Sequence, residues 1–245
     1  MVSSQARIGS FIEHYQEEAS LVAYPVSFEA DYVEKRSRLT TFFRLILVIP
    51  VAIVVYIYGI VAWFAVVIAW FAIVITGQYP KPLYDFVAGF TRCFTRVTAY
   101  AALLCDPYPP FGISDDPSYP VRMRFRRLEQ YSRLKTLFRI ILAIPIVILR
   151  YVMNLLLELS AIFAWFIILI LGKLPSGLHD MMVLANSYIA RSDAYLYLLT
   201  ETYPPFQDEE TRGAGLQEPP AAEPPPMTAP GMGAPPPGQS PPTQA

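Results

Sequence analysis

Residues 45–75 read LILVIPVAIVVYIYGIVAWFAVVIAWFAIVI, a run without one charged side chain. A bilayer core is crossed by about 20 helical residues, so a single straight span is too long for this stretch. Two short helices joined by a tight turn fit the thickness. The turn falls near Tyr58-Gly59, where a glycine and two tyrosines interrupt the aliphatic run. The reading predicts helices over about 41–58 and 60–76. The rest of the composition agrees with lipid as the solvent: 54% of the 245 residues are hydrophobic, only 16% are charged, and the mean hydropathy is +0.37. A net charge of −1 gives no basic excess with which to neutralise phosphates, so nucleic acid is not an expected partner.

The run occurs twice. Residues 24–111 align with 119–206 at a constant offset of about 95 positions, with roughly 34 identities in about 88 pairs. Tyr24-Pro25-Val26 matches Tyr119-Pro120-Val121, Phe43-Arg44 matches Phe138-Arg139, Pro50 matches Pro145, and Trp70-Phe71 matches Trp165-Phe166. Each copy closes on Tyr-Pro-Pro-Phe. In the second copy Arg150, Asn154 and Glu158 surround the equivalent midpoint. Charges at a bilayer centre are costly, which places these three at a solvated turn and predicts helices over about 136–153 and 155–171. The expected fold is therefore an all-α integral membrane protein, two tandem hairpins giving four transmembrane helices. On this reading Arg150 and Glu158 tolerate neutral substitution.

Gly77-Gln78-Tyr79-Pro80 and Gly172 to Pro175 read as helix stops. After each stop comes a less hydrophobic helical pattern, Phe86, Phe90, Phe94, Val97, Ala101 and Leu104, with Arg92 and Arg96 on the other side. It predicts an amphipathic interfacial helix in each copy. Val26-Phe28-Ala30 and Val121-Met123-Phe125 alternate weakly, as short strands do. The organisation is an N-terminal cytoplasmic segment over 1–23, repeats over 24–111 and 119–206, a linker over 112–118, and a Pro-rich disordered tail over 207–245. The first segment lacks the features of a signal peptide and reads as an amphipathic helix with Ile8, Phe11, Ile12 and Tyr15 on one side.

Basic residues flank both apolar runs, Lys35, Arg36, Arg38 and Arg44 before the first and Arg122 to Arg139 before the second. The positive-inside rule puts both termini and the linker in the cytoplasm, as a multi-pass protein. Two spans per copy keep both flanks on one side.

The strings FRLILVIP (43–50), TGQYP (76–80), Arg96 to Tyr100 and DPYPPF (106–111) resemble the bacterial membrane family known as domain of unknown function 4389. The resemblance covers residues 24–206, once per copy. It implies an integral protein of the bacterial cytoplasmic (inner) membrane and supplies no catalytic residues.

Candidate contacts with lipid or a partner are Arg44 and Arg139 at the helix entrances, and Arg92, Arg96 and Arg191 on the polar sides of the interfacial helices. Asp85, Asp180, Asp106 and Glu201 sit at the ends of those helices and suit capping or ion pairs with Arg96 and Arg191 better than acid–base work. If the helix ran through Arg150, Asn154 and Glu158, they would form a polar ridge of the kind that lines an ion path, completed in a homo-oligomer. His14, His179, Cys93 and Cys105 have no metal-ligand spacing, and no phosphate loop or nucleophile motif is present. Neither an enzyme nor a cofactor protein is expected. The expected function is a non-catalytic scaffold that binds anionic lipid through its arginines and protein partners through the Pro-rich tail. A small transporter or channel subunit is the alternative.

Overall fold

A computed structural model describes residues 24–205. The proposed N-terminal helix and the Pro-rich tail lie outside the described residues. The first copy contributes β1 (Val26–Ala30), α1 (Arg38–Phe42), α2 (Arg44–Thr76) and α3 (Lys81–Ala101). The second repeats them position for position as β2 (Val121–Phe125), α4 (Arg133–Leu137), α5 (Arg139–Leu171) and α6 (Ser176–Leu196).

The hairpins are absent. Each apolar run is one unbroken helix of 33 residues, α2 passing through Tyr58-Gly59 and α5 through Arg150, Asn154 and Glu158. Two long helices thus replace the four expected spans. Both are long and apolar enough to cross a membrane. A glycine inside a helix costs only about 1 kcal/mol, too little to force a turn. Phe90 of α3 packs over Gly59, where an added Cβ would sit in ordinary van der Waals contact with the ring at 3.5 Å. The helix stops are as the sequence predicts. Gly77 and Gly172 adopt left-handed φ of 78° and 71°, where L side chains are strained, and each closes its helix with a hydrogen bond to the carbonyl four residues earlier.

The two expected strands form and pair with each other. β1 and β2 run antiparallel with Phe28 opposite Met123, so the sheet joins the copies at their pseudo-twofold centre. Val26, Phe28, Val121 and Met123 are buried, while Glu29 is exposed on the opposite face. Helix ends are exchanged as well. The Arg36 amide donates to Gly172 O, and the Tyr131 amide donates to Gly77 O. The segment preceding each copy's long helix therefore docks on the end of the other copy's.

Three layers result. On α3, Phe90, Cys93 and Val97 pack against Val51, Val55 and Ala62 of α2. The other side of α3 carries Arg92, whose Nε donates to Met123 O of β2, and Thr95, whose hydroxyl meets the Met123 sulfur. The strand ribbon is thus separated from α2 by α3, and α6 touches α5 and β1 in the corresponding way. The interfacial helices are the middle layer of the fold and not a surface. Leu83, Phe86 and Leu178 complete a core that continues into the inner stripes of α2 and α5.

The linker after α3 crosses it at Gly89, where a Cβ would lie 2.6 Å from Ile113 O. Gly89→Ala should displace the linker and cost about 1–3 kcal/mol, seen as a lower thermal midpoint in detergent. Gly177→Ala, with nothing within 4 Å of the added carbon, should be neutral or slightly stabilising under the same conditions.

Candidate functional site

The arginines at the entrances of the long helices do not reach outward. Arg44 and Arg139 are 2% and 4% exposed. Arg44 donates from Nη1 to Cys105 O (3.1 Å) and from Nη2 to Asp106 (2.8 Å), with its guanidinium 4.0 Å above the Tyr100 ring. Asp106 also accepts the Ser37 amide at 3.0 Å. Arg139 donates to the carbonyls of Tyr195 and Thr200 and lies 3.7 Å over the Tyr195 ring. Glu201 accepts the Ser132 amide at 2.7 Å. Asp106 and Glu201 therefore serve the entrance of the long helix and not Arg96 or Arg191.

These arginines bind the turn that ends each middle helix. Leu103 and Leu198 have left-handed φ of 66° and 64°, and each turn closes with a bond from the following amide to the carbonyl five residues earlier. A left-handed leucine costs about 1–2 kcal/mol, and both leucines are buried. Packing and the guanidinium bonds hold the strained turn.

Arg96 and Arg191 are also buried, at 2% and 1% exposure. Arg96 binds the linker through Ser114 O (2.9 Å) and Asp115 (3.3 Å), and Arg191 binds Ser187 through its carbonyl and hydroxyl. Arg92 is partly exposed, bonded to Met123 O and 5.1 Å from the Phe125 ring. Arg44, Arg96, Arg139 and Arg191 are accordingly fold-internal and not the headgroup contacts that the sequence suggested. An arginine's reach allows either outcome, and only the packing around it decides.

Two clefts lie between the long helices, related by the duplication. One, of 310 Å³, is lined by Arg44, Leu45, Ala101, Leu103, Ala161, Ile162 and Trp165. The other, of 350 Å³, is lined by the matching Arg139, Ile140, Leu196, Leu198, Val66, Val67 and Trp70, with Ala143. A third, of 690 Å³, lies between α2 and α3 around Gly59, Trp63, Phe90 and Phe94. All three are lined mainly by apolar side chains and suit hydrocarbon, not a polar substrate.

Arg150, Asn154 and Glu158 form a ridge on α5, not a turn. Arg150 donates to Asp193 of α6 at 2.6 Å and 3.3 Å, and Asn154 donates to Glu158 at 2.6 Å. Burial drives the Asp193 carboxyl above the usual range, and Arg150 opposes that shift. Asp193 was missed by the sequence reading, although a signal existed. The first copy has Val55 and Thr98 at the matching positions, so both partners depart from the repeat together.

His179 is buried, edge-on to Tyr32 at 4.9 Å, with Nδ1 3.6 Å from Asp180. Among the described residues no cluster of three or more His, Cys, Asp or Glu could hold a metal.

The sequence model described as "Domain of unknown function (DUF4389)" matches residues 38–112 and again 133–207. The chain belongs to this family, and carries its domain twice. No curated protein and no solved structure matches it.

The Arg150 pair makes the expected tolerance at that position untenable. Arg150→Gln leaves Asp193 buried without its cation and should cost up to about 3 kcal/mol in a thermal or denaturant melt. The double variant Arg150→Val, Asp193→Thr, which installs the first copy's residues, should recover most of that loss. Glu158→Gln keeps an acceptor for Asn154 and should change little.

Burial lowers the His179 pKa below its ordinary 6.5. The unfolded chain then binds the proton more readily, so this residue's stability contribution is complete above pH 6.5 and declines as pH falls through that value. Melts between pH 7.5 and 5, at values of about half-unit spacing, should show the decline, reduced in His179→Phe.

Proposed function

We propose that this protein is a non-catalytic module of the bacterial cytoplasmic membrane that organises lipid and protein partners at the cytoplasmic face, with both termini on that side. One observation supports it above the others: α2 and α5 expose apolar side chains along their whole length, from Leu45 and Ile46 to Phe71 and Ile75, and from Ile140 and Ile141 to Ile170 and Leu171. So much continuous apolar surface on a folded chain marks a lipid or partner contact. The strongly polar groups of the first copy are spent within the fold, Arg44 on Asp106 and Arg96 on the linker, which favours a structural role over chemistry. Exposed Lys35, Arg38, Lys81, Arg133 and Lys135 at the helix ends offer anionic headgroups the contacts that the buried arginines do not. The Pro-rich stretch 207–245 is a recruitment arm for protein partners.

A transporter is favoured only by the Arg150-Asn154-Glu158 ridge. Purified full-length protein in liposomes should leave ion and small-solute permeability unchanged. Deleting residues 207–245 should preserve recovery in the carbonate-washed membrane fraction and remove a subset of crosslinked proteins. Solute flux that disappears in Glu158→Gln would replace the scaffold with the transporter.

A further inference from the structure

The layering restricts how these helices can meet a bilayer. We infer that the protein lies along a single leaflet, with the axes of α2 and α5 in the membrane plane and their outer faces immersed, and that neither helix crosses. This rests on the membrane reading above and specifies its geometry.

Three observations carry it. The first is the position of the charged ribbon. Phe90 of α3 covers Gly59, near the midpoint of α2, and Met123 lies over Arg92 and Thr95 on the opposite side of α3. Beside Met123, Arg122 pairs with Glu29 (3.2 Å) and Asp31 (2.7 Å), and both carboxylates are exposed. Were α2 to cross the bilayer, this ion cluster would sit level with the hydrocarbon midplane, facing lipid. With α2 in the plane, the cluster is on the water side and the apolar helices are on the lipid side.

Charge at the two ends of the helix pair is the second observation. α2 and α5 run in opposite directions, since the start of α1 meets Ile170 and Gly172 while Tyr131 meets Gly77. One end carries Lys35, Arg38 and Lys173, and the other Lys81, Arg133 and Lys135, all exposed. A crossing would put one basic set outside, against the positive-inside preference, whereas lying in-plane keeps both at the cytoplasmic headgroups. Length is the third. A helix of 33 residues measures about 50 Å against about 30 Å of hydrocarbon, a mismatch larger than the usual tilt of 0–40° absorbs.

The test uses full-length protein in phosphatidylcholine–phosphatidylglycerol vesicles, with nitroxides at Ile46→Cys, Ile60→Cys and Ile75→Cys, all exposed on α2. Depths from power saturation should agree within about 5 Å, at the headgroup–acyl boundary. In cells, a membrane-impermeant maleimide should reach Gln78→Cys and Lys173→Cys, at opposite ends, from the cytoplasmic side only. Buried Cys93 and Cys105 should stay unreacted. An Ile60 label deep at the midplane with shallow Ile46 and Ile75 labels, or the two ends reacting from opposite sides, overturns the in-plane arrangement and leaves the membrane reading standing. Three nitroxides fully exposed to water would overturn the membrane reading itself.

Discussion

A buried guanidinium at the mouth of each long helix holds the rest of the structure in place. Arg44 ties the start of α2 to the turn that ends α3, and Arg139 does the same for α5 and α6. A charge this deep is tolerable only where acceptors meet it, and those acceptors, carbonyls at and just beyond the middle helix's end with Asp106 added for Arg44, dictate where the chain must go after each middle helix. That constraint returns α3 beneath α2 and α6 beneath α5. The two middle helices then become the floor on which the strand ribbon rests.

The duplication is more than repetition. Each copy provides half of the ribbon, and each places its short leading helix on the other's long one: α1 on α5 and α4 on α2. Trp70 of α2 donates to Thr136 O of α4, and Arg38 of α1 donates to Ile170 O of α5. A single copy would leave an unpaired strand and two unsupported helix ends, so the pair is the folding unit. Where the copies differ, the second has the Arg150–Asp193 ion pair at the positions that hold Val55 and Thr98 in the first, within the same scaffold.

This arrangement divides the molecule by solvent. Most ionised groups are used up inside or collected on the ribbon face and at the helix ends, while the outer faces of α2 and α5 are apolar apart from exposed Glu158, which Asn154 bonds on α5. An amphipathic slab of this kind suits a boundary between water and hydrocarbon.

The sequence by itself determined the duplication, the family, the helix stops at Gly77 and Gly172, and the existence of two short strands and of a helix after each apolar run. All of these follow from local pattern: repeated strings, left-handed glycines and alternation. Tertiary structure alone decided the rest. A charge-free run is compatible with a hairpin or one long helix, because the cost of Gly59 in a helix is too small to force a turn and the decision falls to what packs against the run. Arginine near an apolar run is compatible with a headgroup or a buried knot, because its long side chain serves both, and the acceptors that settled the matter lie 61 or more residues away for Arg44 and 56 or more for Arg139. The strands could be seen, but not their pairing across the copies, since nothing local in five alternating residues specifies a partner.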